Sequence, residues 1–277
     1  MCFSGPKTLR ALANFTSHQE AKNHGLRDAE REAGSARLAS KRQRVNAAQI
    51  MQTQFRAVIF DLDGVLADSE PWWTQIDARL LAEHGVVYRG EHHQKVLGVS
   101  YRVAVEFYKK AFNLSAPVEE LMRRRGEIAA EFFASRVGLF PCAKSVLEQL
   151  RAMRLRLAVA TSSVSASARP FLERHMLTPL FEVIVTGDEV ARGKPHPDIY
   201  LRAAQRLGVP GQACLVIEDA LAGIVAAKAA GMRVVAIPDV RFVDPREYAI
   251  QADWVLGNLA ELPELIRKAN AAKGDAV

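Results

Sequence analysis

From residue 55 onward the chain alternates between two kinds of apolar pattern. Short runs recur at Arg56–Phe60, Leu157–Ala160, Val183–Val185, Cys214–Ile217 and Val234–Ile237. Each is nearly continuous in apolar residues and rich in β-branched ones, which predicts parallel strands buried on both faces. Between the later runs, apolar residues recur with helical period. This predicts helices over Ala143–Met153, Ala166–His175, Asp198–Leu207 and Ala220–Ala230, with Gly208 and Gly231 placed as C-terminal stops. Strand–helix alternation of this kind predicts an α/β fold built on an open, doubly wound parallel sheet, Rossmann-like in its winding.

One interval breaks the alternation. Between Ser69 and Phe140 no strand is expected, and helical stretches run roughly over Pro71–His84, Ser100–Phe112 and Pro117–Arg136. About 70 helical residues inserted after the first strand read as a small helical cap domain. The expected organisation is therefore an α/β core over 55–69 and 141–277, a helical cap over 70–140, and a basic, disordered N-terminal extension over 1–54. The extension earns that reading by being rich in Ala, Arg, Gln and Ser and poor in bulky apolar residues.

Charge changes the picture little. The net charge of +6 tempts one towards a nucleic-acid partner, but residues 1–54 hold nine Lys or Arg against four acids. The remainder holds 28 against 27, so the body is nearly neutral and lacks a basic stripe; no nucleic acid is expected. The 277 residues, 49% apolar and 25% charged, fit a globular protein with its own core. No apolar stretch approaches 18 residues, so no membrane span is expected. The first residues lack the apolar block of a secretory signal, and Cys2, Cys142 and Cys214 are far apart with no CxxC spacing. Reduced thiols and a cytoplasmic location follow as expectations.

The candidate chemistry sits where the apolar runs end. Asp61 and Asp63, Thr161 and Ser162, and Glu218 and Asp219 follow three separate runs, and Lys194 lies in the loop after another. In open α/β sheets the ligand crevice lies outside the carboxyl ends of the strands, so these residues should converge there. Clustered carboxylates repel one another and call for a divalent cation; oxygen donors without His or Cys point to Mg²⁺. Such an ion would bridge carboxylate and phosphate, with Lys194 and Thr161 holding phosphate oxygens. One carboxylate can attack phosphorus, and a second, two residues on, can move the protons.

The order of the motifs carries a resemblance. Phe60-Asp61-Leu62-Asp63-Gly64-Val65-Leu66-Ala67-Asp68-Ser69, then Thr161-Ser162, Gly193-Lys194-Pro195 and Ile217-Glu218-Asp219-Ala220-Leu221-Ala222-Gly223-Ile224 closely resemble the haloacid dehalogenase-like (HAD) superfamily. The nearest branch is that of β-phosphoglucomutase and the sugar-phosphate phosphatases. This resemblance implies Asp61 as nucleophile and Asp63 as general acid/base. It also implies magnesium on Asp61, the Asp63 backbone carbonyl and Asp219, with Glu218 close by or through water. Thr161, Lys194 and, more weakly, the Ser162 backbone would bind phosphate. Asp63 argues against dehalogenation, since the dehalogenases of the superfamily lack an acid there.

The implied activity is hydrolysis of a small phosphorylated metabolite, a sugar or polyol phosphate, through an aspartyl-phosphate. The alternative is a phosphomutase of the β-phosphoglucomutase kind. That branch carries a His on the cap linker where this chain has Trp73, and an Arg where Gly98-Val99-Ser100 is followed by Tyr101, although Arg102 could serve by a register shift. Both departures favour hydrolysis. A non-enzymatic phospho-acceptor domain would lack the helical insert and place its acceptor after the third strand. Candidate substrate contacts are Glu70, Trp72, Trp73, Tyr101 and Arg102, whereas Arg123-Arg124-Arg125 reads as a solvated helix face. A monomer or small homo-oligomer is expected.

Overall fold

A computed structural model of the chain describes residues 54–271, apart from 90, 93, 94 and 97–100. The basic extension, but for Gln54, and the Gly98-Val99-Ser100 loop lie outside the described residues. The first apolar run forms β1 (Ala57–Phe60), and its side chains divide between two cores, Val58 and Phe60 on one face and Ala57 and Ile59 on the other. The same division recurs in β4 (Arg156–Ala160) and in β6 (Cys214–Glu218). A strand with both faces in apolar surroundings is apolar along its interior, which is why these runs do not alternate with polar residues and why the charged Arg156 and Glu218 stand at strand ends.

With β5 (Val183–Val185), β7 (Arg233–Ala236) and β8 (Trp254–Val255), these strands make a parallel sheet in the order β5-β4-β1-β6-β7-β8. On the Val58 face pack α4 (Ala143–Ala152), α5 (Ser165–Arg174) and α8 (Leu262–Ala271), through side chains such as Leu147, Phe171 and Ile266. On the Ile59 face pack α6 (Asp198–Leu207) and α7 (Leu221–Ala229), through Tyr200, Ala203 and Ile224. The doubly wound parallel sheet expected from the sequence is the observed fold.

The helical insert comprises α1 (Glu70–Ala82), α2 (Tyr101–Ala111) and α3 (Val118–Ser135). Two short strands that the sequence pattern did not predict, β2 (Ala67–Asp68) and β3 (Gly138–Leu139), pair antiparallel where the chain leaves the sheet and where it returns. The expectation of no strand between Ser69 and Phe140 is corrected by β3 alone: two residues are enough to make a ladder, but too few to make a pattern. The insert packs back on the sheet layer by Phe133 against Phe171, ring centroids 6.0 Å apart. No helix among the described residues is long and apolar enough to cross a membrane.

Candidate active site

β1 is the centre of the sheet, with β4 on one side and β6 on the other, so strand order reverses there. The crevice opens at such a reversal, outside the strands' carboxyl ends. Asp61 follows β1 directly, its backbone N–H donating to the Ile217 carbonyl of β6 at 2.9 Å. Thr161 follows β4, Glu218 ends β6, and the loop before α6 brings in Lys194.

Lys194 is the hub. Its ammonium donates to Asp61 Oδ1 at 2.7 Å and to Glu218 Oε1 at 2.5 Å, and all three residues are buried. Burial alone would depress this amine, but the Asp61 and Glu218 carboxylates outweigh it and hold it well above its ordinary value, so it stays charged. Glu218 is pinned from all sides. The Tyr200 hydroxyl donates to the same Oε1, while Oε2 accepts from the backbone N–H groups of Asp219 and Ala220 at 3.1 Å each. Burial and the Glu218 charge keep the Tyr200 phenol well above its usual pKa, which makes it a permanent donor.

Two glycines make this approach possible. Gly64 has φ of +70°, and a Cβ there would lie 2.5 Å from Asp219 Cγ; only a residue without one lets the loop after β1 lie on the loop after β6. A Cβ on Gly223, in the first turn of α7, would overlap the Glu218 carboxylate itself.

Asp63 is held on one oxygen and open on the other. Its Oδ2 accepts from Ser163 Oγ at 2.7 Å and from the Thr161 hydroxyl at 3.3 Å, whereas its buried Oδ1 has no hydrogen-bond partner. Burial raises its pKa and the Ser163 hydrogen bond opposes the rise. Burial likewise pushes Asp61 up to about 8, against the pull of Lys194 and with the push of Glu218 and Asp63; Asp219 is raised well above the carboxylate range by burial, Glu218 and Asp61.

Carboxylate oxygens of Asp61, Glu218 and Asp219 lie within 4.8 Å of one another. Three crowded acids, one ammonium and an all-oxygen donor set fit a divalent cation, whose charge would reverse the upward shifts of Asp61 and Asp219. Glu218 is the least available of the three, since both its oxygens are already engaged.

These residues open on a cavity of about 130 Å³. Asp61, Asp63, Ser162, Lys194, Glu218 and Asp219 form its floor, and Glu70, Trp73 and Tyr101 of the insert lie in its wall. The sequence-predicted residues are therefore largely brought together. A profile of the haloacid dehalogenase-like hydrolases matches residues 58–237. The chain belongs to that family.

Its relatives include the phosphorylated carbohydrates phosphatase of Thermotoga maritima, 35% identical over 176 residues that cover 64% of this chain and 82% of the relative. Protein CbbY of Rhodobacter capsulatus is 35% identical over 231 residues, 76% of this chain and 99% of the relative. Among solved structures, CbbY of Rhodobacter sphaeroides in complex with phosphate superposes with a TM-score of 0.68 at 28% identity, covering 75% of this chain and 96% of that one.

Three of the candidate residues stand apart from the cavity lining, and the reading of Arg125 as solvated needs correction. Thr161 is wholly buried and is not among the cavity-lining residues; its hydroxyl accepts from the Ser163 N–H at 3.0 Å and donates to Asp63 at 3.3 Å. Trp72 packs on Phe132, centroids 5.9 Å apart, outside the cavity. Arg102 lies on the surface, paired with Glu119 at 3.2 Å. Arg125, read as solvated, is buried and bonded to Asp77.

Three polar participants escaped the sequence reading. Ser163 sits one residue beyond the Thr161-Ser162 motif, a third hydroxyl in a row that residue type alone does not single out. Tyr200 falls on the apolar stripe of α6 with Ile199, Ala203 and Leu207, where an aromatic reads as core. Arg125 did leave a signal: it lies four residues after Leu121 and four before Ala129, on the buried stripe of α3.

Proposed function

We infer that this chain is a phosphoric monoester hydrolase, a magnesium-dependent phosphatase of a small phosphorylated sugar or polyol, working through an aspartyl-phosphate on Asp61. The observation that carries the reading is the buried Lys194 ammonium bonded to Asp61 beside an acid, Asp63, whose second oxygen is free of hydrogen bonds. Asp61, Asp219 and the Asp63 backbone carbonyl would hold Mg²⁺, with Glu218 behind them. When bound, the ion supplies positive charge between the carboxylates and an anionic ester.

Lys194 aligns Asp61 and offsets charge on the phosphoryl oxygens as the Asp61 carboxylate attacks phosphorus. As the Asp61–phosphorus bond forms and the ester bond breaks, Asp63 gives its proton to the leaving oxygen. Asp63, now a carboxylate steadied on Oδ2 by Ser163 and Thr161, takes a proton from water, and that water displaces the phosphoryl group from Asp61 as inorganic phosphate. Ser162, on the floor, is a further phosphate contact.

Hydrolysis is favoured over mutase transfer by the insert. Trp73 and Tyr101 stand in the cavity wall, and Arg102, which would have to serve as a cap arginine, is engaged at the surface by Glu119. The test is turnover of p-nitrophenyl phosphate with Mg²⁺ by the wild type and by Asp61→Asn. The wild type should hydrolyse it and the folded variant should not; a folded Asp61→Asn that retains turnover refutes the nucleophile, and inert wild-type protein refutes the phosphatase.

A further inference from the structure

Among the described residues, the wall that the insert gives the cavity contains one cation, Arg125, and that cation is already matched. Its Nε and Nη2 donate to Asp77 Oδ1 and Oδ2 at 2.6 and 3.1 Å, and the Tyr108 hydroxyl donates to the same carboxylate at 2.6 Å. The guanidinium also sits in the corner between the Trp73 and Tyr101 rings, 4.5 Å from each ring centroid, the two rings being nearly perpendicular at 79°. Trp73, Asp77, Tyr101 and Arg125 all line the cavity, although Arg125 is 5% and Asp77 0% exposed. A guanidinium held at two nitrogens and in contact with two aromatic rings cannot swing towards a ligand anion without leaving Asp77 as a buried, unpaired charge, which is strongly unfavourable.

Among the described lining residues the other cation is Lys194. Lys194 is held between Asp61 and Glu218 on the floor. A second anionic group on a bound ester would therefore face the Glu70 and Asp77 carboxylates with no unmatched cation among the described lining residues. A hydroxyl-rich group needs no such cation and would meet the Trp73 and Tyr101 side chains of the wall.

We propose that this charge-matched wall makes the chain specific for phosphomonoesters whose far end is uncharged, excluding bisphosphates and phosphorylated acids, with Asp77 as the specificity-determining residue. The proposal rests on the phosphatase reading above and adds the class of substrate.

Matched pairs of esters test it: fructose 6-phosphate against fructose 1,6-bisphosphate, and glycerol 3-phosphate against 3-phosphoglycerate. In each pair the wild type should favour the neutral member at least about tenfold in kcat/KM, a difference of about 1.4 kcal/mol. Asp77→Asn removes the matching charge without changing size, and should shrink that ratio several-fold, chiefly by lowering KM for the anionic member. Equal or reversed wild-type preference overturns the proposal whether or not the variant folds. An unchanged ratio in a variant with wild-type circular dichroism overturns the assignment to Asp77. Failure to hydrolyse any ester, p-nitrophenyl phosphate included, refutes instead the phosphatase reading and takes this proposal with it.

Discussion

Replacing Gly223 by Ala should damage the active site through a single added methyl group. The new Cβ would overlap the Glu218 carboxylate, far inside the 3.0 Å approach that Cβ atoms essentially never cross. A carboxylate at the end of a flexible side chain can usually step aside. This one is fixed by Lys194, Tyr200 and two backbone N–H groups, so stepping aside breaks bonds made to a buried charge. Each is worth roughly 1.5–3 kcal/mol, and losing two agrees with the roughly 3–5 kcal/mol typical of breaking a buried ion pair. Urea denaturation should therefore report a loss of about 3 kcal/mol. Displacing Lys194 from Asp61 should lower kcat/KM by about a hundredfold, the equivalent of about 2.7 kcal/mol. Gly126→Ala is the control. It lies inside α3, where the nearest atoms to an added Cβ are 3.5 Å away, and Ala favours a helix over Gly by up to about 1 kcal/mol, so its stability should hold or rise. If Gly223→Ala matches the wild type in both measurements, Glu218 is not pinned as described and its part in holding Lys194 is refuted.

Two further outcomes follow from the same network. Tyr200→Phe removes one donor to a charged carboxylate and no packing volume, so the protein should fold with a loss of about 2 kcal/mol; turnover should fall while KM stays close to the wild-type value, and an unchanged kcat would show that the phenol has no part in positioning Lys194. Treatment with EDTA should abolish hydrolysis and excess Mg²⁺ restore it, and the metal should raise thermal stability by relieving repulsion among Asp61, Glu218 and Asp219; full activity in the chelator would remove the cation from the account.

What was legible from the residues follows from how they are buried. The strands β1, β4, β5, β6 and β7 are visible because burial on both faces leaves no polar interruption, and the chemistry is visible because polar residues stand where those runs stop. β2, β3 and β8 are two residues each, and the half-buried Trp254 and Val255 form no periodic signal. Residue type also fails where a polar group is buried for another's sake. The hydrogen bond from the buried Thr161 hydroxyl to Asp63 joins residues 98 apart, and the bond from Tyr200 to Glu218 joins a core position to a carboxylate 18 residues on. Asp77 and Arg125 are 48 residues apart, each on an otherwise apolar helix stripe, and their pairing is a property of the packed insert.

The central claim is that the Asp61 carboxylate becomes covalently phosphorylated, and Asp63→Asn offers the most direct measurement. An aryl phosphate has a leaving group that departs without a proton, so the first step should proceed in this variant, whereas the water attack that needs Asp63 as base should be slowed. Acid-quenched protein, after incubation with p-nitrophenyl phosphate and Mg²⁺, should show by mass spectrometry one added phosphoryl group per chain, on the peptide containing Asp61. A phosphoryl group on another residue, or wild-type turnover with an unmodified chain, would contradict the account.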